Sequence, residues 1–188
     1  MKKVLLALSL LLLNCCNCFA DDVKLQGGVV YNVKTAKEKA FEGLSLKLDK
    51  TFLKDYLMDA NLEQNKEILK TGVQKDGRIL MSFDIYDFVK GYVVVYEDKP
   101  EYAFYYTNKG YLVAVDVSKY WGSDFPYRVG KYNPVTGNLI SIGLYVSDDE
   151  QFVYNKKGNL KAHWIDDIGY NAKGKPIAKR TLKNNVSE

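Results

Sequence analysis

The chain has a single histidine, His163, in the run His163-Trp164-Ile165-Asp166-Asp167. An imidazole with two nearby carboxylates is the first set in this sequence that could shuttle a proton or hold a metal. On a strand, His163 and Ile165 point to one face while Trp164 and Asp166 point to the other. The acids then fall in the following turn, where Asp is expected for conformational reasons. One imidazole also removes most metal and triad schemes, those that need two imidazoles or a Cys-His or Ser-His-Asp set with a choice of partner. Asp148, Asp149 and Glu150 share one loop, and Asp84 and Asp87 flank one strand. A glycosidase needs two acids converging across a cleft from different elements, so neighbouring acids in a hairpin read as a solvated turn. The chain shows no Gly-rich phosphate loop, serine nucleophile elbow or zinc motif. The expectation is a protein that is not an enzyme, with no catalytic residue, metal site or cofactor. The alternative is a small envelope hydrolase drawing its acids from Asp166, Asp167 or Asp84.

Aromatic residues have more functional reach. There are 15 Tyr, 8 Phe and 2 Trp. The stretch 120–127 concentrates four rings, Tyr120, Trp121, Phe125 and Tyr127, in eight residues. Rings rimmed by polar groups are how proteins grip glycans or flat peptide surfaces, so these four are the ligand-binding candidates. In a thin sheet, Tyr92, Tyr96, Tyr105, Tyr106, Tyr111 and Tyr145 cannot all be buried. The competing account gives Tyr the core of a Cys-free β domain, with Trp121 and Phe125 plugging the sheet edge.

The elements that would position these residues change character along the chain. Gly27-Gly28 followed by Val29-Val30-Tyr31 reads as a short strand, and Thr35–Phe41 as a turn or two of helix ending at Gly43. Residues 52–58 read as a short, buried helical or turn segment. Asn61–Lys70 reads as a clearer helix, with Asn61 and Gln64 resembling a capping box and Gly72 at the C′ position. From Arg78 the period becomes two: Ile79, Met81, Phe83 and Ile85 alternate with Arg78, Ser82, Asp84 and Tyr86, a half-buried strand. Further strands are expected at 92–97, 102–107, 111–117, 127–132, 139–146, 151–154, 160–165 and 176–179. Such spacing argues a meander of antiparallel hairpins.

A turn grammar recurs among them. Tyr132-Asn133-Pro134-Val135-Thr136-Gly137-Asn138-Leu139, Tyr154-Asn155-Lys156-Lys157-Gly158-Asn159-Leu160 and Tyr170-Asn171-Ala172-Lys173-Gly174-Lys175-Pro176-Ile177 each run aromatic, Asn, polar residues, Gly, strand start. Thr107-Asn108-Lys109-Gly110-Tyr111-Leu112 is a looser copy. Asn accepts backbone hydrogen bonds at the first position of a type I turn, and Gly takes positive φ at the bulge that follows. The Tyr before and the Leu after then pack across the hairpin. Uneven spacing between the glycines excludes a strict solenoid. Over residues 105–180 this resembles the tyrosine-aspartate (YD) repeat of Rhs-type proteins and the related MORN-like hairpin repeats, with Asn at each Asp position. The resemblance implies an interaction or structural module, or an immunity or antitoxin-like protein.

The first 20 residues read as a cleavable secretory signal: Lys2 and Lys3, then the apolar run Val4–Leu13, then Cys18-Phe19-Ala20 as the peptidase site. The apolar run is too short to span a membrane. Leu12-Leu13-Asn14-Cys15 offers acylation at Cys15 as the alternative, against which Asn14 is a poor lipobox residue. All three cysteines, Cys15, Cys16 and Cys18, lie in this segment, so a chain starting at Asp21 has neither disulfide nor thiol chemistry. The 27 Lys and Arg less Lys2 and Lys3 leave 25 against 23 acidic residues. Such balance gives no reason to expect a nucleic-acid partner. The expectation is an exported α+β, mainly β domain over 21–188: a helical part at 21–72 packed on a twisted antiparallel β-meander at 73–180, then a tail at 181–188. Its expected function is non-enzymatic binding of a protein or glycan in the bacterial cell envelope or extracellular space.

Overall fold

The computed structural model of the chain describes residues 23–24, 30–72, 77–85, 89–118 and 125–179. The expected signal segment, Tyr120, Trp121 and the tail lie outside the described residues. The fold is α+β and mainly β. Helices α1 (Val33–Phe41), α2 (Lys50–Leu53) and α3 (Leu62–Thr71) accompany a two-stranded ribbon, β1 (Val23–Lys24) and β2 (Val30–Tyr31). Ten further strands form one antiparallel sheet in sequence order: β3 (Arg78–Ile85), β4 (Val89–Tyr96), β5 (Lys99–Thr107), β6 (Leu112–Ser118), β7 (Tyr127–Tyr132), β8 (Leu139–Tyr145), β9 (Glu150–Asn155), β10 (Leu160–Ile165), β11 (Ile168–Tyr170) and β12 (Pro176–Lys179). The strand β11 was not foreseen: its three residues, Ile168-Gly169-Tyr170, are too few to show a period.

Two compact units share this chain, one formed by Gly43–Ile142 and the other by the described residues up to Glu42 together with those from Gly143 onward. In the Gly43–Ile142 unit, Leu53, Ile68, Leu80, Tyr92, Val94, Phe104, Tyr106, Leu112 and Val115 form the core between helices and sheet. Tyr56 stacks on Phe104 with ring centroids 4.4 Å apart, and Phe52 lies 4.6 Å from Tyr102. Packing therefore consumes much of the aromatic content: Tyr92 and Tyr106 are buried, and Tyr96 packs against the same core.

The polarity of β3 is the reverse of its sequence pattern. Ile79 and Met81 are 44% and 45% exposed, while Arg78 and Leu80 are buried on the helix side. Arg78 is accommodated there because Nη1 donates to Asn65 Oδ1 at 2.9 Å and Nη2 to Gln64 Oε1 at 3.2 Å. The network continues through Asn65 Nδ2, which donates to Asp59 Oδ2 at 2.8 Å, and through the Tyr92 hydroxyl, which donates to the same oxygen. Gln64 is thus engaged with Arg78, and the expected capping box at Asn61 does not form. Asp59 Oδ1 instead accepts the Asn61 N–H at 2.8 Å. At the other end of α3, Gly72 takes the left-handed conformation and its N–H donates to the Ile68 carbonyl, as expected. Helix α1 starts two residues before its expected boundary, because Asn32 and Thr35 form the reciprocal cap.

The repeated turns fold as their residues require. Asn133 Oδ1 accepts the N–H groups of Val135 and Thr136, Asn155 Oδ1 those of Lys157 and Asn159, and Asn171 Oδ1 those of Lys173 and Lys175. In the looser copy it is Thr107, not Asn108, that takes the Asn role. Its Oγ1 accepts from Lys109 and Tyr111, and its carbonyl accepts the Gly110 N–H at 2.8 Å. The aromatic residue of that copy is accordingly Tyr106.

Most of these hairpins are capped by the N-terminal part of their own unit. Asp59 N–H donates to the Gly110 carbonyl and Leu112 N–H to the Leu57 carbonyl. Likewise Leu48 N–H donates to the Gly137 carbonyl and Leu139 N–H to the Leu46 carbonyl, and the Tyr132 hydroxyl donates to the Ser45 carbonyl at 2.8 Å. In the other unit the Tyr154 hydroxyl donates to the Val33 carbonyl at 2.8 Å, and Phe41 meets the Tyr154 ring edge-on. The buried tyrosines Tyr132 and Tyr154 thereby satisfy their hydroxyls on backbone carbonyls.

Candidate functional site

In the Gly43–Ile142 unit, the sheet face turned away from the core of Leu53, Tyr92 and Phe104 is also apolar at its centre. Val93, Val95 and Ala103 are buried there with Tyr105 packed against them. Cross-strand register extends this face in both directions. Ile79 pairs with Val95 and Met81 with Val93, Val93 with Tyr105, Tyr105 with Ala114, Ala103 with Asp116, Asp116 with Lys131 and Ser118 with Val129. Alternation along β7 then places Tyr127 on the same face as Val129 and Lys131.

Three of these residues form a fixed polar cluster. The Tyr105 hydroxyl donates to Asp116 Oδ2 at 2.6 Å. The Lys131 ammonium lies 3.0 Å from Asp116 Oδ1 and 3.6 Å from the centre of the Tyr105 ring. Lys131 thus pairs with that oxygen as an ion pair over an aromatic face. Burial pushes the Asp116 carboxyl above the usual carboxylate range, and the Lys131 charge and the Tyr105 hydroxyl work against that shift. Part of the Lys131 side chain remains open, at 33% exposure.

Of the four aromatic candidates, Phe125 and Tyr127 fall among the described residues. Both are half-buried, and their ring centroids are 5.4 Å apart at the entry to β7. Tyr111 is 56% exposed, whereas Tyr92 and Tyr106 are only 1% exposed. The face therefore carries a tyrosine pair at β5 and β7, an ammonium and a carboxylate, set in small apolar residues. This arrangement can stack a sugar ring or a peptide plane and hydrogen-bond its polar edge. The sequence reasoning missed Asp116 and Lys131. They are fifteen residues apart, and only the β6–β7 register makes them neighbours.

His163 is joined to a different carboxylate from those beside it in sequence. Its Nε2 lies 2.5 Å from Glu150 Oε1, and its ring stacks on Phe152 at 4.1 Å. Register explains the partner: His163 pairs with Phe152 and Ile165 with Glu150 across β9 and β10. Asp166 and Asp167 sit in the β10–β11 turn. Asp166 takes a positive φ of 51°, and its N–H donates to the Asp149 carbonyl at 2.7 Å. Of Asp84, the third acid considered for hydrolysis, the backbone is described in β3, opposite Lys90. Among the described residues no group of three or more His, Cys, Asp or Glu side chains could hold a metal ion. No helix among them is long and apolar enough to cross a membrane.

No family model, curated protein or solved structure matches this chain.

Proposed function

We propose that this chain is an exported, non-enzymatic binding module of the bacterial cell envelope or extracellular space, recognising a glycan or protein on its aromatic sheet face. The observation that carries the reading is the Tyr105, Asp116 and Lys131 cluster. It holds an aromatic ring, an anion and a partly open cation in fixed positions within an apolar face. Phe125 and Tyr127 extend the aromatic surface at the entry to β7, and Tyr120 and Trp121 belong to the same segment of sequence. Export rests on the basic, apolar and small-residue regions of the first 20 residues. The hairpin grammar, similar to YD and MORN-like repeats, agrees with an interaction module.

Binding of the purified protein to a glycan array and to sedimented cell-wall sacculi tests the proposal. Retention is expected to fall at least about tenfold in Tyr105→Ala and in Lys131→Ala, the scale of a lost stacking or charged contact in a desolvated site. Equal retention by Tyr105→Ala, Lys131→Ala and Trp121→Ala would remove this face and its neighbouring segment as the binding surface.

A further inference from the structure

We infer that the protein self-associates through the free edge of β3, pairing two copies antiparallel about a two-fold axis at Met81. Strand β3 ends the ten-stranded sheet, and no described strand pairs with its outer side. Its pairing with β4 is unbroken over eight residue pairs, Arg78 with Tyr96 through Ile85 with Val89. By contrast, the β4–β5, β5–β6, β9–β10 and β11–β12 pairs all carry register shifts. An unpaired row of backbone donors and acceptors is chemically specific, because only another extended strand satisfies it.

Exposed edges are normally blunted by Pro, Lys or bulges. The opposite edge, β12, has such guards in Pro176 and Lys179. Strand β3 is less guarded: Arg78-Ile79-Leu80-Met81-Ser82-Phe83-Asp84-Ile85 contains neither Pro nor Lys, its charged residues Arg78 and Asp84 stand near its two ends, and the outward-facing Ile79 and Met81 between them are exposed. The occupant is argued from self-complementarity. Antiparallel pairing centred on Met81 sets Arg78 opposite Asp84, Ile79 opposite Phe83 and Leu80 opposite Ser82. Helix α3, which meets β3 through Asn65 and Gln64, carries exposed charges in the order Glu63, Lys66, Glu67, Lys70. Those charges are paired within the helix, Lys66 with Glu63 at 2.9 Å and Lys70 with Glu67 at 4.0 Å, so the complementarity of the contact lies in β3 itself. A closed two-fold contact of this kind uses the β3 edge of each copy, and pairing through β3 stops at the dimer.

The absence of cysteine after residue 18 makes the test specific. In a background with Cys15, Cys16 and Cys18 replaced by Ser, Met81→Cys should give an oxidised covalent dimer much faster than Val113→Cys. Val113 on β6 is similarly exposed, at 40%. Sedimentation velocity of the protein without introduced cysteines should show a concentration-dependent dimer, and Met81→Lys should weaken it by about fivefold, since two like charges then meet at the axis. A monomer at the highest soluble concentration overturns the inference. So does a dimer in which the two cysteine variants link at the same rate, because its contact then lies elsewhere.

Discussion

Gly137 lies directly beneath Leu48: its carbonyl accepts the Leu48 N–H at 2.8 Å, and a Cβ on Gly137 would come within 2.6 Å of the Leu48 carbonyl oxygen. The same glycine has a φ of 70°. Gly174, in the last hairpin, has a φ of 69° but nothing within 4 Å of where its Cβ would stand. The two sites separate the cost of left-handed backbone from the cost of displacing a capping segment. Gly174→Ala should cost about 1 kcal/mol, the left-handed penalty alone. Gly137→Ala should cost at least about 3 kcal/mol, because a backbone contact must also open. Urea unfolding of the two variants measures the difference. Equal costs would mean that the segment at Leu48 does not restrain its hairpin.

The turns were legible because their chemistry is local. Asn at the start and Gly at the bulge satisfy needs set within five residues, so Asn133, Asn155 and Asn171 behave as their types predict. The looser copy shows the limit. Thr107 and Asn108 are adjacent and both able to cap, and the choice follows from which one is preceded by a tyrosine that reaches the core. The inversion of β3 was not legible, because Arg78 is buried only by virtue of Asn65, thirteen residues upstream on a helix. His163 gave the same difficulty. Its neighbours in sequence are Asp166 and Asp167, yet strand pairing gives it Glu150.

The His163 and Glu150 pair is expected to stabilise its hairpin, and removing one partner should reveal that role. His163→Ala leaves the Glu150 carboxylate, 13% exposed at its side chain, without the imidazole, and strips the ring stacked on Phe152. A loss of about 2 kcal/mol is expected, the scale of an uncompensated, largely buried polar group. Glu150→Gln keeps an acceptor and should cost less. Thermal unfolding of both variants decides the point, and a neutral His163→Ala would show that the pair does not hold the hairpin.

Asp116 should be a site where the native residue is not the most stable one. Burial raises its carboxyl pKa above the ordinary 3.8, so between the unfolded and the folded value the folded state holds a proton that the unfolded state has released. Stability at this position is therefore full below the ordinary value and declines as pH rises through the folded one. Asp116→Asn removes the buried charge while leaving an acceptor for the Tyr105 hydroxyl. At pH 7 the variant should gain up to about 1 kcal/mol, and the gain should shrink as acid protonates the native carboxyl. Denaturant titrations at pH 7 and pH 3.5 read this directly. A gain at pH 7 accompanied by weaker ligand retention would match a charge kept for binding rather than folding.

The buried tyrosines set an alkaline limit on the fold. Burial raises Tyr92, Tyr106 and Tyr154 above the ordinary 10.0, and at Tyr92 the Asp59 carboxylate that accepts its hydroxyl adds to the shift. For these groups the folded chain keeps protons that the unfolded chain gives up, so their contribution is complete below the unfolded value of 10.0 and declines toward the higher folded values. The slope is at most about 1.4 kcal/mol per pH unit for each tyrosine that titrates only on unfolding. Phenolate absorbance and circular dichroism followed together through this range should therefore show part of the phenolate signal rising only as β structure is lost. Tyr92→Phe sharpens the test. It deletes one titrating group and leaves Asp59 with the N–H of Asn61 and the Asn65 amide as its donors, so its stability should be lower at pH 7 but should fall less steeply above pH 10. If all tyrosines ionise while the strands stay intact, the core around Tyr92 and Tyr106 and the separate packing around Tyr154 each admit water far more readily than their burial implies.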